Sequence, residues 1–237
     1  MTYCVGIRTS QATIMISDSR TSAGVDNIST YSKMWRYGVP GDRQFVLCSA
    51  GNLATTQAVI AAIERDIKLT AEISLLTVTD MNQAAEYIGN LSVEVQEKAG
   101  GGSVFEATFL LSGEILGAVS GMYMIYAQGN FIVSSTQVPY LQIGETKYGK
   151  PILDRVIQES TSIDRAIVCG LISMDATLKS NLTVGPPIEL YILQHGSLAL
   201  GRYRVFGEDD EYMRGLRKAW NKAMENAVDA MPPLTLS

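Results

Sequence analysis

The spacing of apolar residues changes along this 237-residue chain in blocks, and the order of the blocks limits the folds that are possible. The order is strands, two helices, strands, two helices, strands and a final helix. A Rossmann sheet would instead require strict alternation of strand and helix. We therefore predict one α+β domain over residues 1–237, built as a four-layer αββα sandwich with two antiparallel sheets inside.

Two β-rich runs at the amino end flank a short polar loop, Thr9–Gln11, which predicts a hairpin. The simplest register across a three-residue loop pairs Arg8 with Ala12. Thr2 then lies opposite Asp18 on the same face of the sheet.

A second hairpin is predicted around the turn Pro40–Asp42, where Pro-Gly is a strong turn signal. Pairing Val39 with Arg43 places Lys33 opposite Ser49. The ammonium of this lysine is therefore expected beside the junction where the second hairpin leads into a helix.

The remaining elements follow from helical stripes and short β-rich runs. Helices are predicted from Asn52, from Thr79 or Asp80 as N-cap to the glycine-rich residues 99–102, over 145–158 and 162–178, and from near Glu208. Strands are predicted in EATFLLSG, GMYMIYAQG, NFIVSS, PPIELYILQHG and LALGRYRVFG. The apolar stripe of the last helix, from Tyr212 to Met231, is expected to be a packing surface.

Composition argues against several classes of partner. A net charge of -5 and a pI near 5.0 disfavour binding to nucleic acid or to an anionic membrane.

The three cysteines lie in apolar stretches, which is typical of buried thiols in a reducing compartment, and we predict a cytoplasmic location. No leader or membrane span is expected from the sequence. A single histidine gives little basis for a metal site, and no cofactor is predicted.

Thr2 could act as a nucleophile if Met1 is removed. A threonine hydroxyl is weak at neutral pH and needs a base, and a free α-amino group with a pKa of about 8 can accept its proton. A nearby Lys33 would lower the pKa of that amine, and Asp18 would hold the lysine in place. The backbone N–H of Gly51 could donate to an oxyanion.

The same residues resemble a known family. The spacing of Thr2, SDSR at 17–20, Lys33 and SAGNLATTQAV at 49–59 is similar to that in proteasome β-type subunits, which are N-terminal-nucleophile hydrolases. The stretches TYCVGI, SDSRTSAGVDNIS and SMDATLKSNLTVGPPIEL resemble the bacterial Anbu, or ancestral β-subunit, family. The resemblance covers essentially the whole chain.

The resemblance implies a threonine peptidase that cleaves peptides or unfolded proteins through an acyl-enzyme and assembles into a homo-oligomeric ring or stack, with an unspecified unfoldase as a possible partner. The resemblance makes Thr2 the nucleophile and its amine the base, with Asp18 and Lys33 as the supporting pair. Gly51 is the implied oxyanion donor and a substrate contact, and Thr21 and Ser22 form a strand edge for the substrate. Asp175 is the implied acidic residue that orders the site.

Two departures from the proteasomal pattern bear on activity. Gly144-Glu145-Thr146 stands where proteasomal subunits carry Gly-Ser-Gly, so the accessory serine is missing. Asp175 is not followed by a closely spaced Ser-Gly, and Ser180 is the candidate replacement.

Two alternatives therefore stay open: a weak or inactive oligomeric scaffold that binds a partner protein, and an amidohydrolase for small amides. Retention of Met1 would favour the scaffold.

Overall fold

The computed structural model describes residues 1–22 and 28–234. The strands are β1 (Tyr3–Arg8), β2 (Ala12–Asp18), β3 (Arg20–Ser22), β4 (Ile28–Thr30), β5 (Met34–Val39), β6 (Arg43–Gly51), β7 (Ala107–Ile115), β8 (Gly121–Ile125), β9 (Phe131–Val133), β10 (Tyr140–Gly144), β11 (Ile188–Gln194) and β12 (Arg202–Phe206). The helices are α1 (Leu53–Lys68), α2 (Met81–Lys98), α3 (Lys150–Val156), α4 (Ile163–Ser180) and α5 (Glu211–Asp229), and a 3₁₀ turn covers Ser103–Phe105.

Two five-stranded antiparallel sheets form the centre of the fold, as the sequence predicts. The first has the strand order β10-β1-β2-β11-β12 and the second β5-β6-β7-β8-β9, while β3 and β4 form a separate two-stranded sheet. One apolar cluster lies between the two sheets, a second between the first sheet and α3 and α4, and a third between the second sheet and α1 and α2. These three contact layers confirm the predicted αββα sandwich.

Strand β1 shows how the sequence builds two of these layers at once. Val5 and Ile7 belong to the cluster under the helices, whereas Cys4 belongs to the cluster between the sheets. Successive residues of a strand point to opposite faces, so this alternation buries both faces of β1. Gly6 also faces the other sheet, where a Cβ would lie 2.4 Å from the sulfur of Met122. The glycine therefore allows the two sheets to approach each other here.

The register of the first hairpin differs from the prediction by one residue. The Thr9 amide donates to the Ala12 carbonyl at 2.9 Å, and the Ala12 amide donates to the Thr9 hydroxyl at 3.2 Å. These bonds close a two-residue turn instead of a three-residue loop, so Arg8 pairs with Thr13. The predicted pairing of Arg8 with Ala12 is wrong.

The second hairpin has the predicted register. Val39 pairs with Arg43, and the Ser49 amide donates to the Lys33 carbonyl at 3.1 Å. The Pro-Gly turn thus fixes the loop length and brings Lys33 to the end of β6.

Polar caps begin the first two helices where the sequence places them. The side chain of Asn52 accepts a hydrogen bond from the Thr55 amide at 3.0 Å and caps α1. The side chain of Asp80 accepts from the Gln83 amide at 2.9 Å, so Asp80 rather than Thr79 is the N-cap of α2.

Short elements account for the main differences from the prediction. Strands β4 and β10 are not predicted from the sequence, and β3 is implied only by the family resemblance, through Thr21 and Ser22. Each of the three has only three or five residues. The helix predicted over 145–158 is wrong at its start, because β10 ends at Gly144 and α3 begins only at Lys150. The helix predicted over 162–178 is confirmed as α4.

The last helix begins three residues later than predicted near Glu208, at Glu211 after the N-cap Asp210. Met213 is buried, but Met224 and Met231 are exposed. The apolar stripe therefore packs on this chain only near the amino end of α5.

Candidate active site

A cavity of about 460 Å³ opens at the amino end of β1. It lies where the ends of both sheets meet, and its lining includes the predicted site residues Thr2, Thr21, Lys33 and Gly51. The other lining residues are Met1, Ser49, Ala50, Leu53, Thr56 and Gly144. The chain terminus, a lysine and a strand-to-helix junction are thus brought to one opening.

Thr2 does not lie opposite Asp18 as predicted, because the ladder is shifted by one residue. Asp18 instead accepts a hydrogen bond from the Tyr3 amide at 3.0 Å. The Thr2 carbonyl accepts from the Glu145 amide at 2.7 Å. Both polar atoms of the peptide group between Thr2 and Tyr3 are therefore hydrogen-bonded, which fixes the position of Thr2.

Lys33 and Asp18 form a buried ion pair. The Lys33 Nζ lies 2.8 Å from Asp18 Oδ1, and the two residues are 6% and 0% exposed. The same Nζ donates to the Arg20 carbonyl at 2.7 Å. Two acceptors of fixed position orient the ammonium, and Lys33 also lines the cavity that contains Thr2.

Asp18 is held at both of its oxygens. In addition to the contacts of Oδ1, Oδ2 accepts from the Gly185 amide at 3.1 Å. Burial raises the pKa of Asp18, while Lys33 and the amides of Tyr3 and Gly185 act in the opposite direction. The carboxylate is therefore a fixed support for Lys33.

Gly51 presents its backbone to the cavity. Successive N–H groups of a strand point in opposite directions. The Ser49 amide points toward Lys33, whereas the Asn52 amide points to the other side and donates to the Glu106 carbonyl at 2.9 Å. The Gly51 N–H therefore points to the Lys33 side, just beyond the end of β5. This is the position in which it could donate to an oxyanion.

Replacing Gly51 by alanine is expected to destabilise the fold at this junction. Gly51 has φ +113°, and a Cβ would lie 2.4 Å from the Glu106 carbonyl oxygen. Gly41 also has a positive φ, +81°, but a Cβ there meets nothing within 4 Å, so Gly41→Ala is a matched control. We expect Gly41→Ala to cost about 1 kcal/mol and Gly51→Ala about 2–3 kcal/mol or more, measured by urea unfolding. Equal costs would contradict the close approach seen at Gly51.

Charged groups surround the chain terminus. Partial burial, followed by Lys33, lowers the pKa of the Met1 amine from its ordinary value of 8.0, whereas Asp18 and Glu145 act in the opposite direction. Thr2 is the next residue and is itself half-buried. An amine exposed on Thr2 would enter the same surroundings.

The predicted substrate edge begins at the cavity. Thr21 lines the cavity and pairs with Ser29 in the small sheet of β3 and β4. The backbone of Ser22 lies at the end of β3, opposite Ile28. Residues 23–27 of the stretch that resembles Anbu are outside the described residues.

Asp175 and Ser180 do not line the cavity. Asp175 Oδ1 accepts from the Arg217 Nε at 2.6 Å, which joins α4 to α5. Ser180 is exposed, and it is the next residue, Asn181, whose side chain donates to Glu145 at 3.0 Å. The role of Asp175 in ordering the site stays a prediction.

Sequence reasoning missed three contributors to this site: Glu145, Asn181 and Gly185. The sequence indicates Glu145 only as the residue that stands in place of a serine, and nothing local indicates that its amide reaches the Thr2 carbonyl. Gly185 precedes two prolines, and nothing local indicates that its amide reaches Asp18.

Several solved structures resemble the chain along its whole length. Anbu (ancestral β-subunit) from Yersinia bercovieri is 41% identical, with 99% of each chain covered and a TM-score of 0.95. An Anbu (Gly-1) mutant from Hyphomicrobium sp. strain MC1 is 40% identical, with 100% of each chain covered and a TM-score of 0.94. The chain belongs to the Anbu family.

A third Anbu structure, described as the helical assembly of the Anbu complex from Pseudomonas aeruginosa, is 37% identical, with 98% of each chain covered and a TM-score of 0.94. Neither the family models nor the curated proteins that were compared with the chain gave a match. The Anbu structures confirm the family resemblance and the proteasome-like fold predicted from the sequence.

Proposed function

We propose that this chain is a proteasome-type threonine peptidase whose nucleophile is the hydroxyl of Thr2 after Met1 has been removed. The observation that carries the proposal is the meeting of Thr2, the Lys33–Asp18 ion pair and Gly51 at one cavity. A nucleophile, a charged group that favours a neutral amine, and an oxyanion donor are the parts that acyl transfer requires.

The reaction would proceed through an ester. The Thr2 amine takes the proton of the hydroxyl, and the oxygen attacks the peptide carbonyl carbon to form a tetrahedral intermediate whose oxyanion accepts a hydrogen bond from the Gly51 N–H. The C–N bond then breaks, and the protonated amine gives its proton to the leaving nitrogen. Water, deprotonated by the same amine, hydrolyses the ester and restores the Thr2 hydroxyl.

An extended peptide or an unfolded protein segment is the proposed substrate. Thr21 lies in a short strand at the rim of the cavity, where its backbone could pair with a substrate strand, with Ser22 continuing the same edge. Asp175 would act at a distance, by holding α4 through Arg217.

Self-association is part of the proposal. The Anbu complex from Pseudomonas aeruginosa is described as a helical assembly, and the exposed apolar residues of α5 are compatible with contacts between copies.

None of the helices in the described residues is long and apolar enough to cross a bilayer. Three buried, unpaired cysteines support a cytoplasmic location, and any unfoldase partner is unspecified.

Mass spectrometry of the purified chain treated with a peptide epoxyketone tests the proposal. This probe forms a morpholine ring only with a hydroxyl and a free amine on the same residue, so an adduct requires both Met1 removal and a reactive Thr2. We expect one adduct on the mature terminus, with a labelling rate that falls as the pH drops below the pKa of the terminal amine, since the protonated amine cannot act as base.

The other outcomes separate the alternatives. Retained Met1 with no adduct would contradict the peptidase and favour an oligomeric scaffold. An adduct together with turnover of simple amides but not of peptides in a library would favour a small-amide amidohydrolase.

A further inference from the structure

Glu189 is a buried carboxylate that the reaction described above does not use. It lies on β11 and is 4% exposed. Its neighbours Ile188 and Leu190 belong to the cluster under the helices, so Glu189 points into the layer between the two sheets. Ile188 pairs with Asp18 across the sheet. The carboxylate is therefore one residue away from the strand position that faces the Lys33–Asp18 ion pair.

Two contacts of this carboxylate go to residues that adjoin the ion pair in the sequence. Ser19, which follows Asp18, donates its hydroxyl proton to Glu189 Oε1 at 2.9 Å. The Oγ of Ser32, the residue before Lys33, lies 3.1 Å from Glu189 Oε2. One side chain thus bridges the segment that carries Asp18 and the segment that carries Lys33.

The Ser32 hydroxyl has two acceptors within reach. Its oxygen accepts from the Met34 amide at 3.3 Å, and its proton can go to Glu189 Oε2 or to the Met34 carbonyl at 3.0 Å. A charged carboxylate is the stronger acceptor of the two. Ser32 is exposed whereas Ser19 is 2% exposed, so water competes more for the Ser32 bond. The bond from Ser19 is therefore the stronger half of the bridge.

Tyr203 supplies a third hydroxyl to the same carboxylate. Its O–H donates to Glu189 Oε2 at 2.5 Å. Burial, followed by this bond, raises the pKa of Tyr203 to about 12, so the phenol keeps its proton and acts as the donor. Tyr203 lies on β12, the edge strand of the first sheet. Loss of its hydroxyl would remove a bond to Glu189 without changing either residue that adjoins the ion pair.

The two bridged segments also meet through their backbones. The Tyr31 amide donates to the Ser19 carbonyl at 2.9 Å, and the Lys33 Nζ donates to the Arg20 carbonyl at 2.7 Å. A shift of one segment against the other would therefore move the ammonium. A lysine side chain is long and flexible, and holding it in one place costs entropy. The position of the ammonium thus depends on how firmly these segments are joined.

We propose that Glu189 is a positioning residue that joins these two segments through Ser19 and Ser32 and thereby fixes the Lys33 ammonium in the cavity that contains Thr2. The inference rests on the proposed function, since a fixed ammonium matters for the reaction only if Thr2 is the nucleophile. Glu189 acts through the two serines and not on the reacting atoms.

Three variants that each remove one hydroxyl from Glu189 test the proposal. Ser19→Ala and Ser32→Ala should lower the maximal rate of epoxyketone labelling by about fivefold and about threefold, because displacing a group near the reacting atoms slows the reaction. Tyr203→Phe is the matched control and should be labelled at the wild-type rate, although it loses a bond to the same carboxylate. The epoxyketone concentration that gives half the maximal rate should stay unchanged in all three.

The pH profile of labelling is a readout that a loss of stability alone does not move. Burial, followed by Lys33, lowers the pKa of the terminal amine, whereas Asp18 and Glu145 act in the opposite direction. An ammonium that is held less closely lowers this pKa less. The acidic limb of labelling should therefore move to higher pH in both serine variants and stay in place in Tyr203→Phe.

Glu189→Gln completes the set, because glutamine retains the shape of the side chain but not its charge. Combining it with Ser19→Ala should slow labelling by less than the product of the two separate effects, since the serine acts through residue 189. Serine variants with the wild-type rate and the wild-type acidic limb would overturn the proposal. So would a Tyr203→Phe chain that loses as much activity as they do.

Failure of the proposed function would look different. If the wild-type chain gives no adduct, the ¹⁵Nζ signal of Lys33 still reports on the position of the ammonium. A change of that signal in both serine variants but not in Tyr203→Phe would support the bridge through Glu189 and contradict only the peptidase. An unchanged signal in all three would contradict both.

Discussion

Thr2→Ala is expected to lower epoxyketone labelling by at least about a thousandfold, because it removes the attacking oxygen and leaves only the amine. The folded state should be little affected. Thr2 is half-buried at the end of β1, and alanine retains the backbone carbonyl that accepts from the Glu145 amide. We expect a change in unfolding free energy within about 1 kcal/mol and unchanged assembly. Intact mass, urea unfolding and size-exclusion chromatography measure these three properties.

Two other threonine variants sharpen this result. Thr2→Ser keeps a hydroxyl and should still be labelled. Thr56 also lines the cavity, but its hydroxyl donates to the Asn52 carbonyl at 3.0 Å, so Thr56→Ala should still give an adduct on residue 2. Labelling of Thr2→Ala at the wild-type rate would place the nucleophile elsewhere.

The sequence predicts the Lys33 side of this site better than the Asp18 side, because the two hairpin turns differ. The Pro-Gly turn determines its own loop length, so the pairing of Val39 with Arg43 follows and Lys33 is placed correctly. In the first hairpin, the Thr9 hydroxyl and backbone close a shorter turn than the polar loop suggests. A side chain that acts as part of the turn is not visible in the hydrophobic pattern.

Long-range partners are the part of the site that the sequence could not predict. Gly185 lies 167 residues after Asp18, and Asn181 lies 36 residues after Glu145. Each contact depends on how the segment after α4 packs against the first sheet. That packing is set by tertiary structure, whereas periodicity and turn signals describe only neighbouring residues.

Lys33→Ala is the second variant for which we expect a large effect, on labelling and on stability together. Without Lys33 the terminal amine loses a charge that lowers its pKa, so more of it is protonated at neutral pH and labelling should fall by about tenfold. Asp18, which is 0% exposed, loses its counterion. Breaking a buried pair in this way costs about 3–5 kcal/mol. Lys150→Ala is the control, because its pair with Asp154 is exposed and should cost at most about 1 kcal/mol.

The pH dependence of this loss distinguishes an unpaired carboxylate from lost packing. Burial already raises the pKa of Asp18, and removing Lys33 raises it further. A carboxyl group with a raised pKa in the folded state destabilises that state above its unfolded pKa of about 3.9, and the cost disappears as the pH falls through the folded-state pKa. The deficit of Lys33→Ala relative to wild type, measured by urea unfolding, should therefore shrink from pH 7 toward pH 4 (roughly the unfolded value). A deficit that does not change with pH would mean that Lys33 stabilises the junction through its aliphatic chain, because a cost from lost packing does not titrate.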